Sequence, residues 1–442
     1  ADRSDLVVRQ RRSRGLGEGR KRNINEYGVE YLMADFYQSP YISTLHNLRN
    51  CAVEELEAQL VNFSATRPLG LILPSLYSEL QTPAMPNIRS ELMKVPYLSQ
   101  IVVGLDRADV DEYQSALKFF AELPQQHRVL WQDGPRLRAI HAELEALGLA
   151  PQEPGKGRNV WYCMGYVLAT SRSDAVAIHD CDILTYDRSL LARLIYPVAN
   201  PHFSFEFCKG YYARVAGNKL NGRACRLLVG PLIHATKRVL GENDFLNYLD
   251  SFRYLLAGEF AFRRELLSDM RVPSDWGLEM GVASEMYRNN SANRICQVEL
   301  TDFYDHKHQD LSINDAQRGL SRMSLDITKS LIRKLAIQGT VFNQETFRTL
   351  KATYYRVALD YVESYRRDAL MNGLDFDTHT EEQAVELFAT NILEAGKQFL
   401  ERPLDAPFMP TWSRVVSAIP DIYERLIQAV EEDHNEFSAR GR

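Results

Sequence analysis

The sequence predicts an α/β fold: a mostly parallel sheet with helices on both faces, followed by a helical C-terminal appendage. Three observations predict it. Between residues 69 and 180, short apolar runs that read as buried strands alternate four times with amphipathic helical patterns, which is the signature of a parallel, doubly covered sheet. After about residue 200 the strands lie farther apart, with helices between them. From residue 313 onward apolar residues recur at spacings of three and four almost without a break, as helices packing on one another require.

The elements follow in order. Residues 1–32 are basic at their start, with eight Arg/Lys against three Asp/Glu in the first 22. They read as a disordered extension, a basic arm for an anionic partner being the alternative. Residues 33–66, from Met33, read as an N-terminal helical segment, and 67–312 as the α/β domain. The run LGLIL (69–73) is its first strand, ending at Pro74-Ser75-Leu76-Tyr77. A helix over NIRSELMKV leads to the strand QIVVGLD, which ends at Asp106. A helix through DEYQSALKFFAEL precedes the strand HRVLWQD, and RLRAIHAELEAL is helical up to the loop APQEPGKGR. NVWYCMGYVLATS is a helix feeding the strand DAVAI. FSFEFCKGYYARV and ICQVELTDFYDHKHQ supply later strands, and 313–442 form the helical C-terminal domain, punctuated by Gly373 and Pro403. In parallel sheets of this kind ligands bind outside the carboxyl ends of the strands, so Pro74–Tyr77, Asp106 and Asp180–Asp182 are expected along one edge.

Composition narrows the function. With 442 residues, 45% hydrophobic and 25% charged, the chain is an ordinary soluble globular protein large enough for a substantial core. A net charge of −6 gives no electrostatic case for nucleic-acid binding. Six cysteines without CxxC spacing, no signal peptide and no membrane-spanning apolar run lead to the expectation of a reducing cytoplasm.

The chemistry concentrates in VAIHDCDILTYD (176–187). Two carboxylates, Asp180 and Asp182, end an apolar strand, which is costly unless a cation or hydrogen-bond donors compensate them. The chain holds two other Asp-x-Asp triplets, at 109–111 and 375–377. The first opens a helix, where acids favour the dipole, and the other sits in a turn. Downstream, YDHKHQ places Asp305, His306 and His308 just after a strand. Carboxylate oxygens with one imidazole suit Mg²⁺ or Mn²⁺, the nitrogen favouring Mn²⁺. In PGKGR the glycines flanking Lys156 allow backbone N–H groups and an ammonium to approach a phosphate, although the spacing is not that of a P-loop and a flexible surface turn is the alternative.

Taken in order, LPSLYSE, GKGRNVW, DCD, KGYY, GRACRLLVGPL, AGEFAFRRELL, SDWGLEMG and DHKH resemble the GT-A glycosyltransferases that make glucosyl-3-phosphoglycerate, with mannosyl-3-phosphoglycerate and glucosylglycerate synthases as close relatives. The resemblance covers about 69–312. It implies a Rossmann-like GT-A domain and a retaining, metal-dependent transfer of glucose from a nucleotide-diphosphate sugar to 3-phosphoglycerate. Its partners would be a UDP-, GDP- or ADP-linked glucose or mannose and 3-phosphoglycerate or free glycerate. The product class is that of compatible solutes, and the tail is expected to pack on the domain or build a homodimer. By position, Pro74, Ser75 and Leu76 would cradle the base, with Glu79 and Asp106 nearby, and Lys156 would reach the diphosphate. Asp182 and His306 would hold the metal, with Asp180 near the ribose and metal. Glu259 would lie beneath the sugar hydroxyls. Trp276, Gly277 and Glu279 would line the sugar and acceptor pocket, Arg223 would bind the acceptor, and His308 would support the metal histidine. For Glu259 the alternative is an acid at a helix start, and Lys209, Tyr211 and Tyr212 are pocket wall or core.

Two departures stand out: Cys225 where a hydroxyl residue is expected, and Gly230 where an arginine is sometimes found. Both bear on the acceptor phosphate. A nucleotidyltransferase would show a glycine-rich signature after the first strand, which LPSLYSELQTP lacks. A non-catalytic scaffold would leave Lys156, Asp180, Asp182 and His306 without a shared purpose.

Overall fold

The computed structural model describes residues 38–48, 51–306, 319–403 and 408–439. In chain order its strands are β1 (Ser43–Leu45), β2 (Leu69–Leu76), β3 (Leu98–Asp106), β4 (His127–Trp131), β5 (Ala175–Ile178), β6 (Phe207–Tyr212), the hairpin β7 (Val215–Ala216) and β8 (Lys219–Leu220), β9 (Phe260–Arg263) and β10 (Ile295–Thr301). All but the hairpin join one sheet in the order β1-β10-β6-β9-β5-β2-β3-β4. Its pairings are parallel except those of β9, which runs against β5 and β6.

The helices are α1 (Val53–Ser64), α2 (Tyr77–Leu80), α3 (Ala84–Leu92), α4 (Val110–Phe120), α5 (Pro135–Ala146), α6 (Lys156–Thr170) and α7 (Arg188–Ala199). A π-helical turn, Ala224–Val229, runs directly into α8 (Gly230–Leu240), followed by α9 (Asp244–Asp250) and α10 (Leu278–Asn289). The tail comprises α11 (Gly319–Ile337), α12 (Gln344–Met371), α13 (Thr378–Glu401), α14 (Trp412–Ala418) and α15 (Ile422–Ala439). Local chemistry sets these boundaries. The Asp109 side chain accepts from Glu112 N at 2.9 Å and the Glu112 carboxylate accepts from Asp109 N at 2.9 Å, a reciprocal cap that starts α4.

Alternation along the strands splits the core between the two faces of the sheet. Ile72, Val102, Val176 and Ile178 face one buried cluster, and Leu71, Leu73, Val103 and Ala177 face the other. The first cluster also takes in Leu331, Tyr354, Phe388, Trp412 and Leu426, so the tail helices share a core with the sheet. At the far edge Arg136 pairs with Glu432 at 2.9 Å, Asp433 at 2.5 Å and Glu436 at 2.7 Å, which ties α15 to α5. Trp412 stacks on Trp161 at 4.2 Å, and a Cβ on Gly165 would come within 2.0 Å of its indole. No helix among the described residues is long and apolar enough to cross a membrane.

Three expectations are corrected. The segment 33–66 is not wholly helical, because Ser43–Leu45 is a strand paired in parallel with β10; three residues are too few to show a period. AGEFAFRRELL contains the strand β9, so Glu259 precedes a strand and not a helix. The helical C-terminal domain is punctuated not only at Gly373 and Pro403 but also at Pro420, which divides WSRVVSAIPDIYERLIQAVEE into α14 and α15, since a proline lacks the N–H that a continuous helix needs.

Candidate active site

Because β9 is antiparallel, its beginning lies at the same edge as the carboxyl ends of β2, β3, β5, β6 and β10. β2 runs through Pro74 and Ser75 to Leu76, which stands opposite Asp106 on β3. Asp106 is buried and accepts from Arg158 Nη2 at 2.8 Å. Leu76 N and Ser75 Oγ donate to Glu79 Oε2 at 2.9 and 3.2 Å. Burial, with the nearby Asp182 and Asp180 charges, pushes the Glu79 carboxyl up to about 7 despite those hydrogen bonds.

Past β5 the chain folds back on the segment after β10. Ile183 pairs with His306 in an antiparallel bridge, Leu184 N donates to Asp305 O at 2.9 Å, and Asp305 N donates to Thr185 Oγ1 at 3.1 Å. This return puts His306 Nδ1 3.5 Å from Asp182 Oδ2. Asp182 Oδ1 and His306 Nδ1 are buried with no hydrogen-bond partner among the described residues. An orphaned carboxylate oxygen beside an orphaned imidazole nitrogen is a donor set that fits Mn²⁺ or Mg²⁺. Asp180 does not join them. Its Oδ1 pairs with Lys156 Nζ at 2.7 Å, and among the described residues no three His, Cys, Asp or Glu side chains gather as a ready metal cage.

Lys156 stands at the first turn of α6, directly after Gly155 at φ 152°. A Cβ on Gly157 would lie 2.5 Å from Pro273 O, so the second glycine lets the SDWG loop close onto this turn. That approach brings Glu279 to 3.1 Å from Lys156 Nζ. Burial works against both charges of the Lys156–Asp180 pair, but their mutual attraction holds the ammonium well above its ordinary pKa and the Asp180 carboxyl below its own. Gly258 packs against this carboxylate: a Cβ there would come within 2.2 Å of Asp180 Oδ2.

Glu259 is fully buried. Tyr212 and Tyr304 hydroxyls donate to its two oxygens at 2.6 Å each, and their rings stack at 3.6 Å. Burial and the Asp180 charge raise its carboxyl above the usual range. Beside it Lys209, also buried, donates to Ala257 O at 2.7 Å, and burial lowers its ammonium to about 8.

On the expected acceptor side, Arg223 Nε donates to Glu381 Oε1 of α13 at 2.7 Å. Cys225 is half-buried in the π-helical turn, and a Cβ on Gly230 would meet Tyr361 of α12 at 3.2 Å. Trp276 is exposed, and Gly277 N donates to Asp275 Oδ1 at 2.8 Å at the start of α10. His308 lies outside the described residues.

With this geometry in view, comparison with known proteins is decisive. The chain is 49% identical over 404 residues to a glucosyl-3-phosphoglycerate synthase of Persephonella marina, covering 91% of this chain and 100% of that protein. It is 38% identical over 408 residues to the glucosyl-3-phosphoglycerate synthase of Methanococcoides burtonii, covering 91% and 99%. The chain belongs to the glucosyl-3-phosphoglycerate synthase family. No family model matches it. A solved glucosyl-3-phosphoglycerate synthase of Mycobacterium tuberculosis, in complex with Mn²⁺, UDP-glucose and phosphoglyceric acid, is 21% identical, covering 67% of this chain and 88% of that one at a TM-score of 0.49. At that distance the likeness bears no argument about individual residues.

Several of the segments singled out in the sequence meet at this edge of the sheet. Lys156, Asp180, Glu279 and Gly258 form one contact group, Asp182 with His306 a second, and Glu259 with two tyrosines a third. Sequence reasoning missed the tyrosine caps, the ion pair of Asp106 with Arg158, and Glu381. Only the KGYY stretch carried a signal for the first of these; Glu381 sits in an ordinary helical pattern with nothing local to mark it.

Proposed function

We propose that the chain is a metal-dependent glucosyltransferase that moves glucose from a nucleotide-diphosphate sugar to the free hydroxyl of 3-phosphoglycerate. The observation that carries this reading is the juxtaposition of Lys156, Asp180, Asp182 and His306 at the carboxyl edge of the sheet, in a chain of this family. Asp182 and His306 would hold the metal, which when bound supplies Lewis-acid neutralisation of the leaving diphosphate. Lys156 places a fixed ammonium where negative charge develops. Pro74, Ser75, Leu76 and Asp106 form the wall for the nucleoside.

Glu259 is poorly suited to be a nucleophile. Both of its oxygens accept short tyrosine hydrogen bonds, which occupy the lone pairs a nucleophile would use. It suits binding of sugar hydroxyls. Retention of the anomeric configuration then follows by transfer on one face, with a leaving phosphate oxygen taking the acceptor proton. The six free cysteines support a reducing cytoplasmic setting, and light scattering would test the homodimer.

The deciding experiment measures nucleotide release with Mn²⁺ or Mg²⁺ across UDP-, GDP- and ADP-glucose and the corresponding mannose donors, each with 3-phosphoglycerate or glycerate. The reading expects acceptor-dependent turnover with a glucose donor and 3-phosphoglycerate, lost in Asp182→Ala. Preference for free glycerate or for a mannose donor would move the chain to one of the related activities.

A further inference from the structure

The tail helices reach the acceptor side through one buried carboxylate. Glu381 stands in the first turn of α13 and is 3% exposed. Its Oε1 accepts from Arg223 Nε at 2.7 Å and its Oε2 accepts from Arg226 Nη2 at 2.8 Å. The two arginines do different work. Arg226 is spent on the fold: its Nε and Nη2 donate to the carbonyls of Asn221 and Leu220 at 2.8 and 3.1 Å, and its guanidinium lies 4.8 Å from the Tyr365 ring centroid. Arg223 is held by Nε alone. Its side chain is 32% exposed, and no described residue bonds to its Nη1 or Nη2. A guanidinium pinned by its inner nitrogen presents a rigid two-nitrogen edge, the geometry that matches a carboxylate or phosphate.

The turn that carries Arg223 packs against the tyrosines around Glu259. A Cβ on Gly222, the neighbour of Arg223, would meet Tyr254 Oη at 2.9 Å, and Tyr254 packs 5.1 Å from Tyr212, which caps Glu259. The turn carrying Arg223 and Cys225 is also clasped from the tail, where Tyr354 Oη of α12 donates to Leu227 O at 2.6 Å. π-Helical turns are uncommon and concentrate at functional sites.

We propose that Glu381 is a positioning residue for the acceptor: it fixes the Arg223 guanidinium so that its outer edge receives an acceptor anion, which makes α13 part of the acceptor site. This rests on the reading of Arg223 as the acceptor-binding arginine. In Glu381→Gln the carboxamide still accepts from one arginine but turns an N–H₂ toward the other, so Arg223 loses its fixed orientation.

The test is a steady-state cycle of Arg223→Ala, Glu381→Gln and the double variant, with KM read separately for 3-phosphoglycerate and for the sugar donor, alongside melting temperatures. A lost charge-assisted contact raises KM for 3-phosphoglycerate about 100-fold in Arg223→Ala. Glu381→Gln should raise it about tenfold with donor KM within about twofold, and should add nothing in the Arg223→Ala background, because a residue acting through another is non-additive with it. Equal effects on both KM values, effects that multiply in the double variant, or an unchanged acceptor KM in Glu381→Gln would each overturn the proposal. An unchanged acceptor KM in Arg223→Ala would instead overturn the reading of Arg223 on which it rests. Should Glu381→Gln fail to fold, Glu381→Asp, which keeps the charge and withdraws it by one methylene, is judged by the same criteria.

Discussion

Gly258 offers the sharpest test of the Lys156–Asp180 geometry, because its substitution perturbs their contact while replacing neither residue. A Cβ at this position would lie 2.2 Å from Asp180 Oδ2, 2.8 Å from Cγ and 3.0 Å from Oδ1. The whole carboxylate would have to withdraw by about 1 Å to reach ordinary contact, which begins near 3.4 Å. Asp is too short to make that move while keeping its 2.7 Å bond to Lys156. Gly258 is not at positive φ, so alanine meets no backbone strain of its own. A charge-assisted hydrogen bond contributes about 1.5–3 kcal/mol, or about 10- to 100-fold in kcat/KM if the contact persists in the transition state. Gly258→Ala should therefore lower kcat/KM for the sugar donor by about that factor while the circular-dichroism spectrum stays native. Wild-type kcat/KM in a folded Gly258→Ala protein would refute the claim that the Asp180–Lys156 contact matters for turnover.

Three further outcomes follow. Lys156→Met removes the ammonium proposed to face the leaving diphosphate and should lower kcat by about 10²–10³ in single-turnover assays, with little change in acceptor KM. Glu79 has a folded pKa raised from 4.5 to about 7, chiefly by burial. Its contribution to stability is therefore fully present below pH 4.5 and lost as pH rises through 7. In EDTA, urea midpoints of wild type should fall relative to Glu79→Gln across that window, and parallel curves would contradict the assignment. Trp412→Ala opens a void against Trp161 and Gly165 and should cost about 3–5 kcal/mol in urea unfolding, because the tail and the sheet share one core.

Much of this architecture was legible because strand ends carry their own marks. LGLIL, QIVVGLD and DAVAI are apolar runs followed by Pro74, Asp106 and Asp180; the first of these strands continues through Pro74 to Leu76, and these strand ends form the site edge. β9 was not legible: FAFR is a four-residue run whose antiparallel partners lie far away in sequence. β1 was missed for the same reason, since its stability comes from β10 and not from its own residues. Within the site, donor chemistry points to a metal between the Asp-x-Asp pair and the histidines at 306 and 308, and the family resemblance singles out Asp182 and His306. Asp180 is expected near the ribose and metal from its strand-end position and from the resemblance, and the structure turns it toward Lys156. Glu381 is the clearest case of a residue invisible to local reading, because its meaning depends on two arginines more than 150 positions earlier.

The central claim is that glucose transfer to 3-phosphoglycerate depends on a metal held by Asp182 and His306. Its most direct test is the rate of glucosyl-3-phosphoglycerate formation as a function of Mn²⁺, in wild type, Asp182→Ala and His306→Ala. The account predicts saturable activation from a near-zero rate in EDTA for wild type, and almost no product from either variant at any Mn²⁺ concentration. Full activity in EDTA, or variants that saturate with Mn²⁺ as wild type does, would contradict it.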